Sequence, residues 1–164
     1  MKIGPMILCV AVLSFASGVA FESARARAAA QPAGVTGIGG VFFKSHDPQK
    51  LAAWYRENLG IELTPETNAP GAPPNHGFEW LEKNDPAKTG TTVWAIFPQA
   101  TKYFGAGPQP FMINYRVENL DRLLAQLRAA GVSVDPKTDD EPNGRFGWAT
   151  DLEGNRFELW QPKP

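Results

Sequence analysis

The sequence predicts an α+β fold in which two βαβββ modules form one curved mixed sheet with helices on its outer side. Three observations predict it: an internal repeat, two capped helices at matching places in that repeat, and an apolar strand closing each half. Phe43-Lys44-Ser45-His46-Asp47-Pro48-Gln49-Lys50-Leu51-Ala52-Ala53 lies on Tyr115-Arg116-Val117-Glu118-Asn119-Leu120-Asp121-Arg122-Leu123-Leu124-Ala125 without a gap. With one residue inserted, Arg56 falls on Arg128 and Gly60-Ile61-Glu62-Leu63 on Gly131-Val132-Ser133-Val134, and further on Phe78-Glu79-Trp80 resembles Phe146-Gly147-Trp148. Self-similarity of this kind marks a structural unit used more than once.

Each half reads as a strand, a helix and three strands. Val41-Phe42-Phe43 and residues 112–117 are short and rich in β-formers. Asp47 followed by Pro48 is a helix N-cap with proline at the first helical position, and Asn119 caps the second helix. Leu51, Trp54, Tyr55 and Leu59 recur at helical spacing, as do Leu120, Leu123, Leu124 and Leu127. Gly60 and Gly131 stop the two helices. Residues 91–98 and 155–162 close the halves as strands, the second entered through the Asp151-Leu152-Glu153-Gly154-Asn155 turn. Residues 65–75 and 100–110 read as loops, placed to cover a cleft.

The N-terminus stands apart. Lys2 precedes an uncharged, mostly apolar run over residues 3–21, and Ala28-Ala29-Ala30 follows as an A-x-A site. Residues 1–30 therefore read as a signal peptide and the protein as exported, periplasmic or extracellular; a retained membrane anchor is the alternative. Cleavage removes three basic residues (Lys2, Arg25, Arg27) and one acidic residue (Glu22), moving the formal net charge from −1 to −3. A chain without a basic face does not suit nucleic acid. Cys9 is the sole cysteine, so the mature chain carries no disulfide, thiolate metal site or cysteine nucleophile. No phosphate-binding glycine loop is present, because Gly37 to Gly40 does not open a helix.

Alternate strand residues face opposite sides of a sheet. Val41, Phe43, Val93, Ala95, Phe97, Ile113, Tyr115, Val117, Phe157 and Leu159 are uniformly apolar and are expected to face the helices. The other parity, with Phe42, Lys44, Trp94, Met112, Asn114, Arg116, Glu158 and Trp160, mixes aromatic, charged and amide side chains and is expected to line a cleft.

Asp47-Pro48 leading into Trp54-Tyr55-Arg56-Glu57-Asn58-Leu59-Gly60, and the closing Asp151-Leu152-Glu153-Gly154-Asn155-Arg156-Phe157-Glu158-Leu159, resemble the first helix and last hairpin of the vicinal oxygen chelate superfamily, the glyoxalase, bleomycin-resistance and dioxygenase group. The resemblance covers residues 36–162, with modules at about 36–98 and 109–162. It implies the fold rather than one reaction, since lyases, isomerases, dioxygenases and drug binders share it. Members with metal chemistry take ligands from matched points in the two halves. Those points fall here on Gly40, Trp94, Met112 and Glu158, of which only Glu158 suits a hard or borderline ion. No metal site and no cofactor are therefore expected, with a divalent ion the residual option. His46 and His76 have no ligand partner at short spacing and read as loop histidines.

Glu158 is the candidate catalytic residue, as a general base or as a hydrogen-bond acceptor for substrate; alternatively it pairs with Arg156 or Arg116 across the sheet. Lys44, Trp94, Met112, Asn114, Arg116 and Trp160 are the candidate ligand-binding residues. Lys44 and Arg116 would hold an anion unless they point into water. Trp94 and Trp160 would stack on a flat ligand or plug the cleft. Tyr103 and Phe104 either form a lid or anchor the inter-module loop to the core. The expected function is binding of a small anionic or carbonyl-bearing molecule without a metal. The alternatives are a lyase or isomerase using Glu158, and a structural or interaction role. Whether the halves pair within one chain or swap within a homodimer is open at this level.

Overall fold

The computed structural model describes residues 32–163 apart from Asn68 and Asn84. The expected signal peptide, its cleavage site and Cys9 lie outside those residues. Among the described residues, no helix is long and apolar enough to cross a membrane.

The first module runs β1 (Val35–Ser45), α1 (Pro48–Leu59), β2 (Thr64–Pro65), β3 (Pro74–Glu82) and β4 (Asp85–Pro98). The second runs β5 (Phe111–Val117), α2 (Leu120–Ala129), β6 (Ser133–Glu141), β7 (Gly144–Thr150) and β8 (Arg156–Pro162). The helix signals act as read. The Asp47 carboxylate accepts from the Lys50 amide at 3.0 Å, and the Asn119 side chain accepts from that of Arg122 at 2.9 Å. Gly60, with φ of 68°, takes the left-handed conformation that ends α1. In the closing turn, Asp151 Oδ1 accepts from the Glu153 and Asn155 amides, both at 2.9 Å.

Among the described residues, eight strands form one mixed sheet in the order β2-β3-β4-β1-β5-β8-β7-β6, so the same half is written twice about the β1–β5 seam. That seam is antiparallel, with Val41 opposite Ile113, Gly40 opposite Asn114 and Phe42 opposite Met112. Val41 and Ile113 are also equivalents in the sequence repeat, so the pseudo-twofold axis passes through their pair. Outward from the seam, β1 and β4 are parallel with Phe42 beside Ala95, while β5 and β8 are parallel with Asn114 beside Glu158.

Residues paired across a ladder share a face, and three clusters show what each face meets. Ala52, Leu63 and Ile96, flanked by Phe43, Tyr55 and Trp94, pack under α1. Val117, Leu120, Leu123, Leu124 and Leu159, flanked by Tyr115 and Phe157, pack under α2. The third cluster, Phe42, Ala95, Phe104, Met112 and Trp148, fills the opposite face.

The structure corrects three sequence expectations. In β4 the parity is reversed. Trp94 lies against α1, with its ring 4.9 Å from Phe43 and 6.1 Å from Tyr55, and Val93, Ala95 and Phe97 take the cleft side. Apolarity orients a strand only when one face is wet, and β4 is covered on both. The likeness of Phe78-Glu79-Trp80 to Phe146-Gly147-Trp148 also fails in register. Trp148 stands opposite Glu158, and the residue opposite Ala95 is Asn75. On α1, Trp54 and Leu59 are exposed, so the buried stripe is narrower than the pattern suggests.

Candidate ligand-binding site

β5 and β8 carry Asn114 and Glu158 side by side onto the cleft face, both almost fully buried, at 3% and 1% exposure. A buried carboxylate needs donors, because its charge loses the solvation that water gave. Glu158 has three. Asn114 Nδ2 donates to Oε1 at 2.5 Å, Trp148 Nε1 donates to Oε2 at 2.9 Å, and the Tyr103 hydroxyl donates to Oε2. Both carboxylate oxygens are thus engaged. Burial pushes the Glu158 carboxyl above its ordinary range, against the pull of those hydrogen bonds and of the Arg156 charge. Burial first, and the Glu158 charge second, also raise the Tyr103 hydroxyl well above the usual phenol range, so that Tyr103 keeps its proton.

Tyr103 belongs to the inter-module loop, which folds across the cleft. Its ring stacks on Phe97 at 5.4 Å, nearly parallel, and meets Trp148 edge-on at 6.0 Å. Phe104 beside it is 2% exposed within the cleft cluster. Arg156 fastens the same loop. Its guanidinium donates to the Tyr103 carbonyl, pairs with Asp135 and lies 5.0 Å from the Trp148 ring centroid. The two readings of Tyr103 and Phe104 therefore combine: Phe104 anchors, and Tyr103 covers Glu158.

Outside this cover is a pocket of about 480 Å³. Tyr103, Phe146 and Trp148 give it aromatic walls, and Glu66, Thr67, Asp139, Glu141, Pro142 and Asn143 line its remaining sides. Phe146 is backed by Trp160, stacked nearly parallel at 6.4 Å, and Trp160 Nε1 donates to the Asn143 carbonyl at 3.0 Å. Trp160 thus supports a wall of the pocket from behind. Glu158 does not line the pocket and touches it through the two walls that donate to it, Tyr103 and Trp148.

The other sequence candidates are dispersed. Arg116 is bound to Glu82, Nη1 to Oε1 at 2.7 Å, and lies 5.8 Å from the Trp80 ring centroid. Lys44 Nζ sits 5.3 Å from the ring centroid of Phe104. Met112 is buried in the cleft cluster, and Trp94 is on the helix side. Of the seven sequence candidates, the structure joins Glu158 and Asn114 directly, places Trp160 behind the pocket and separates the rest. Sequence reading gave no role to Phe146 and Trp148, although it singled both out as a repeat signature. It set Arg156 only as a partner for Glu158.

The metal points of the superfamily can be tested against this geometry. With β4 reoriented, the residue matched to Glu158 in the first module is Ala95 rather than Trp94. The four points are then Gly40, Ala95, Met112 and Glu158. One carboxylate, with both oxygens already accepting hydrogen bonds, does not meet the three or more protein ligands usual for such ions. Among the described residues, no group of three or more histidine, cysteine, aspartate or glutamate side chains is arranged to hold a metal. The residues present do not fit the ion.

The family model for a glyoxalase-like domain matches residues 40–160. The chain belongs to that family. The glyoxalase-like domain lies within the vicinal oxygen chelate superfamily, as its two-module sheet shows. Similar solved structures include methylmalonyl-CoA epimerase from Mycobacterium tuberculosis, with a TM-score of 0.54 and 19% identity over 79% of this chain and 90% of that one. A single-residue variant of Streptomyces coelicolor methylmalonyl-CoA epimerase, in complex with 2-nitronate-propionyl-CoA, gives 0.59 and 17% over 80% and 100%. A methylmalonyl-CoA epimerase in complex with methylmalonyl-CoA and NH4+ gives 0.58 and 18% over 79% and 96%. At these identities the likeness is one of fold. A search of curated proteins finds no match.

Proposed function

We propose that this glyoxalase-like domain binds a small molecule, without a metal ion, in the pocket walled by Tyr103, Phe146 and Trp148. The observation that carries this reading is the sharing of side chains. Tyr103 and Trp148, which wall the pocket, are the same groups that occupy Glu158. The space beside the superfamily's ligand point is thereby built as an aromatic receptor. Concave, mostly apolar pockets with a few fixed polar groups are the usual small-molecule sites. The geometry does not favour the anionic ligand expected from the sequence, because Arg116 is committed to Glu82 and neither it nor Lys44 lines the pocket. The test is native mass spectrometry of the purified protein for a retained compound, together with a thermal-shift screen. A binder whose shift disappears in a folded Phe146→Ala variant supports the reading. Binders indifferent to that change would place the site elsewhere.

A second reading, a lyase or isomerase with Glu158 as general base, is favoured by the raised carboxyl, since a base works best near the operating pH. It requires Tyr103 to swing off Oε2. Turnover lost in Glu158→Gln with binding retained would establish it. Export rests on residues 1–30 and is checked by N-terminal sequencing of the secreted protein, which should begin near Gln31. Recovery of the uncut chain in a membrane fraction would mean anchoring instead. The homodimer is tested by sedimentation equilibrium.

A further inference from the structure

The polar groups around the pocket define its ligand further than its shape does. The Tyr103 hydroxyl directs its O–H at Glu158 as a hydrogen-bond donor, so toward the pocket its oxygen can only accept. Glu66, Asp139 and Glu141 are carboxylates and also only accept, while Thr67 and Asn143 are neutral and can donate or accept. The cations near them are turned outward or already engaged. Lys137 pairs with Asp139 at 2.8 Å, and Lys163 binds Asp140 and the Glu141 carbonyl. Neither lysine lines the pocket, and neither Glu66 nor Glu141 is paired with a cation among the described residues.

The aromatic walls add to this. Tyr103 has one face on Phe97 and Phe146 has one face on Trp160, which leaves their remaining faces and edges for a guest. An aromatic face is electron-rich and attracts cations. The pocket therefore offers acceptors, negative charge and π-faces, and its side chains present no fixed donor of positive charge.

We propose that the pocket takes a flat organic cation with N–H donors, of the amidinium or ring-conjugated ammonium class, laid against Tyr103 and Phe146 with its N–H groups on the Tyr103 oxygen and the carboxylates. This rests on the small-molecule reading above and adds the ligand's charge and hydrogen-bonding sense. Three probes of nearly equal shape separate the terms: benzamidinium, neutral benzamide and benzoate. Each is titrated against the full chain at pH 7 by calorimetry and tryptophan fluorescence. Benzamidinium should bind roughly tenfold or more tighter than benzoate, as a charge-assisted hydrogen bond implies, and the margin should shrink in high salt. The double variant Asp139→Asn, Glu141→Gln should erase most of the benzamidinium advantage and leave benzamide unchanged, whereas Phe146→Leu should weaken all three probes. If benzoate binds as tightly as benzamidinium in a Phe146-dependent manner, the cation assignment is overturned and the pocket stands. If none binds at millimolar concentration, or binding ignores Phe146→Leu, the pocket itself is overturned together with the proposal.

Discussion

Where β1 meets β4, Phe42 stands beside Ala95; at the corresponding point where β5 meets β8, Asn114 stands beside Glu158. The backbones are the same, and the helix sides remain alike. Ile96 and Leu159, one residue further along each ladder, are 0% and 1% exposed under their respective helices. On the cleft side the halves part. The first supplies a smooth apolar floor and the second a buried carboxylate with three donors. The fold thus demands symmetry where helices pack and releases it where only side chains meet. The inter-module loop uses that freedom, since Phe104 settles in the apolar cluster while Tyr103 reaches the carboxylate.

That contrast can be broken in order of expected effect. Ile96→Ala and Leu159→Ala should each cost about 3–4 kcal/mol, the usual result of emptying a buried aliphatic site. Denaturant melts giving one variant a much smaller loss would show that the helix sides are not equivalent. Glu158→Leu leaves the Asn114, Trp148 and Tyr103 donors without an acceptor, and a loss of about 2–3 kcal/mol follows from unpaired buried groups. Equal or higher stability would mean that the carboxylate is kept at the expense of the fold.

The third test is pH dependence. The folded-state carboxyl of Glu158 is raised, so the folded protein holds that proton more tightly than the unfolded chain. Its contribution is fully present below the ordinary carboxylate range and is lost as pH rises through the raised folded value, by up to about 1.4 kcal/mol per pH unit in that window. Stability measured against pH should lose this component in Glu158→Gln, and identical profiles for the two proteins would refute the shift. Smallest is Tyr103→Phe, which removes one hydrogen bond and should cost about 1 kcal/mol. Its informative readout is proteolysis in the inter-module loop, which should quicken in this variant and not in a control change such as Lys137→Gln on the exposed side of β6.

Most of the architecture could be read from the chain because its signals were local. Asp47 and Asn119 announced the helix starts, Gly60 the end of α1, and Asp151 to Asn155 the last hairpin, each through a bond or dihedral set by near neighbours. β4 could not be oriented this way. Val93, Ala95 and Phe97 are apolar because a second core lies over the cleft, and that core includes Phe104 from a distant loop. The site was half legible for the same reason. Glu158 is the register partner of Asn114 across the β5–β8 ladder and of Trp148 across the closing hairpin, whereas Tyr103 reaches it from the inter-module loop through tertiary placement that no spacing encodes. Arg116 was misjudged because its partner, Glu82, ends a strand of the other module.

The floor of the cleft also has a direction built into it. A Cβ at Gly40 would come within 2.6 Å of the Phe42 ring and 3.1 Å of the Val93 carbonyl, and that ring is itself fixed in the cleft cluster. A histidine introduced at this point meets a steric barrier before it can meet an ion. Phe42 would have to shrink first, opening a hole in the apolar floor with nothing yet gained in return. Conversion to a metal site through Gly40 by single substitutions therefore begins with a loss of stability.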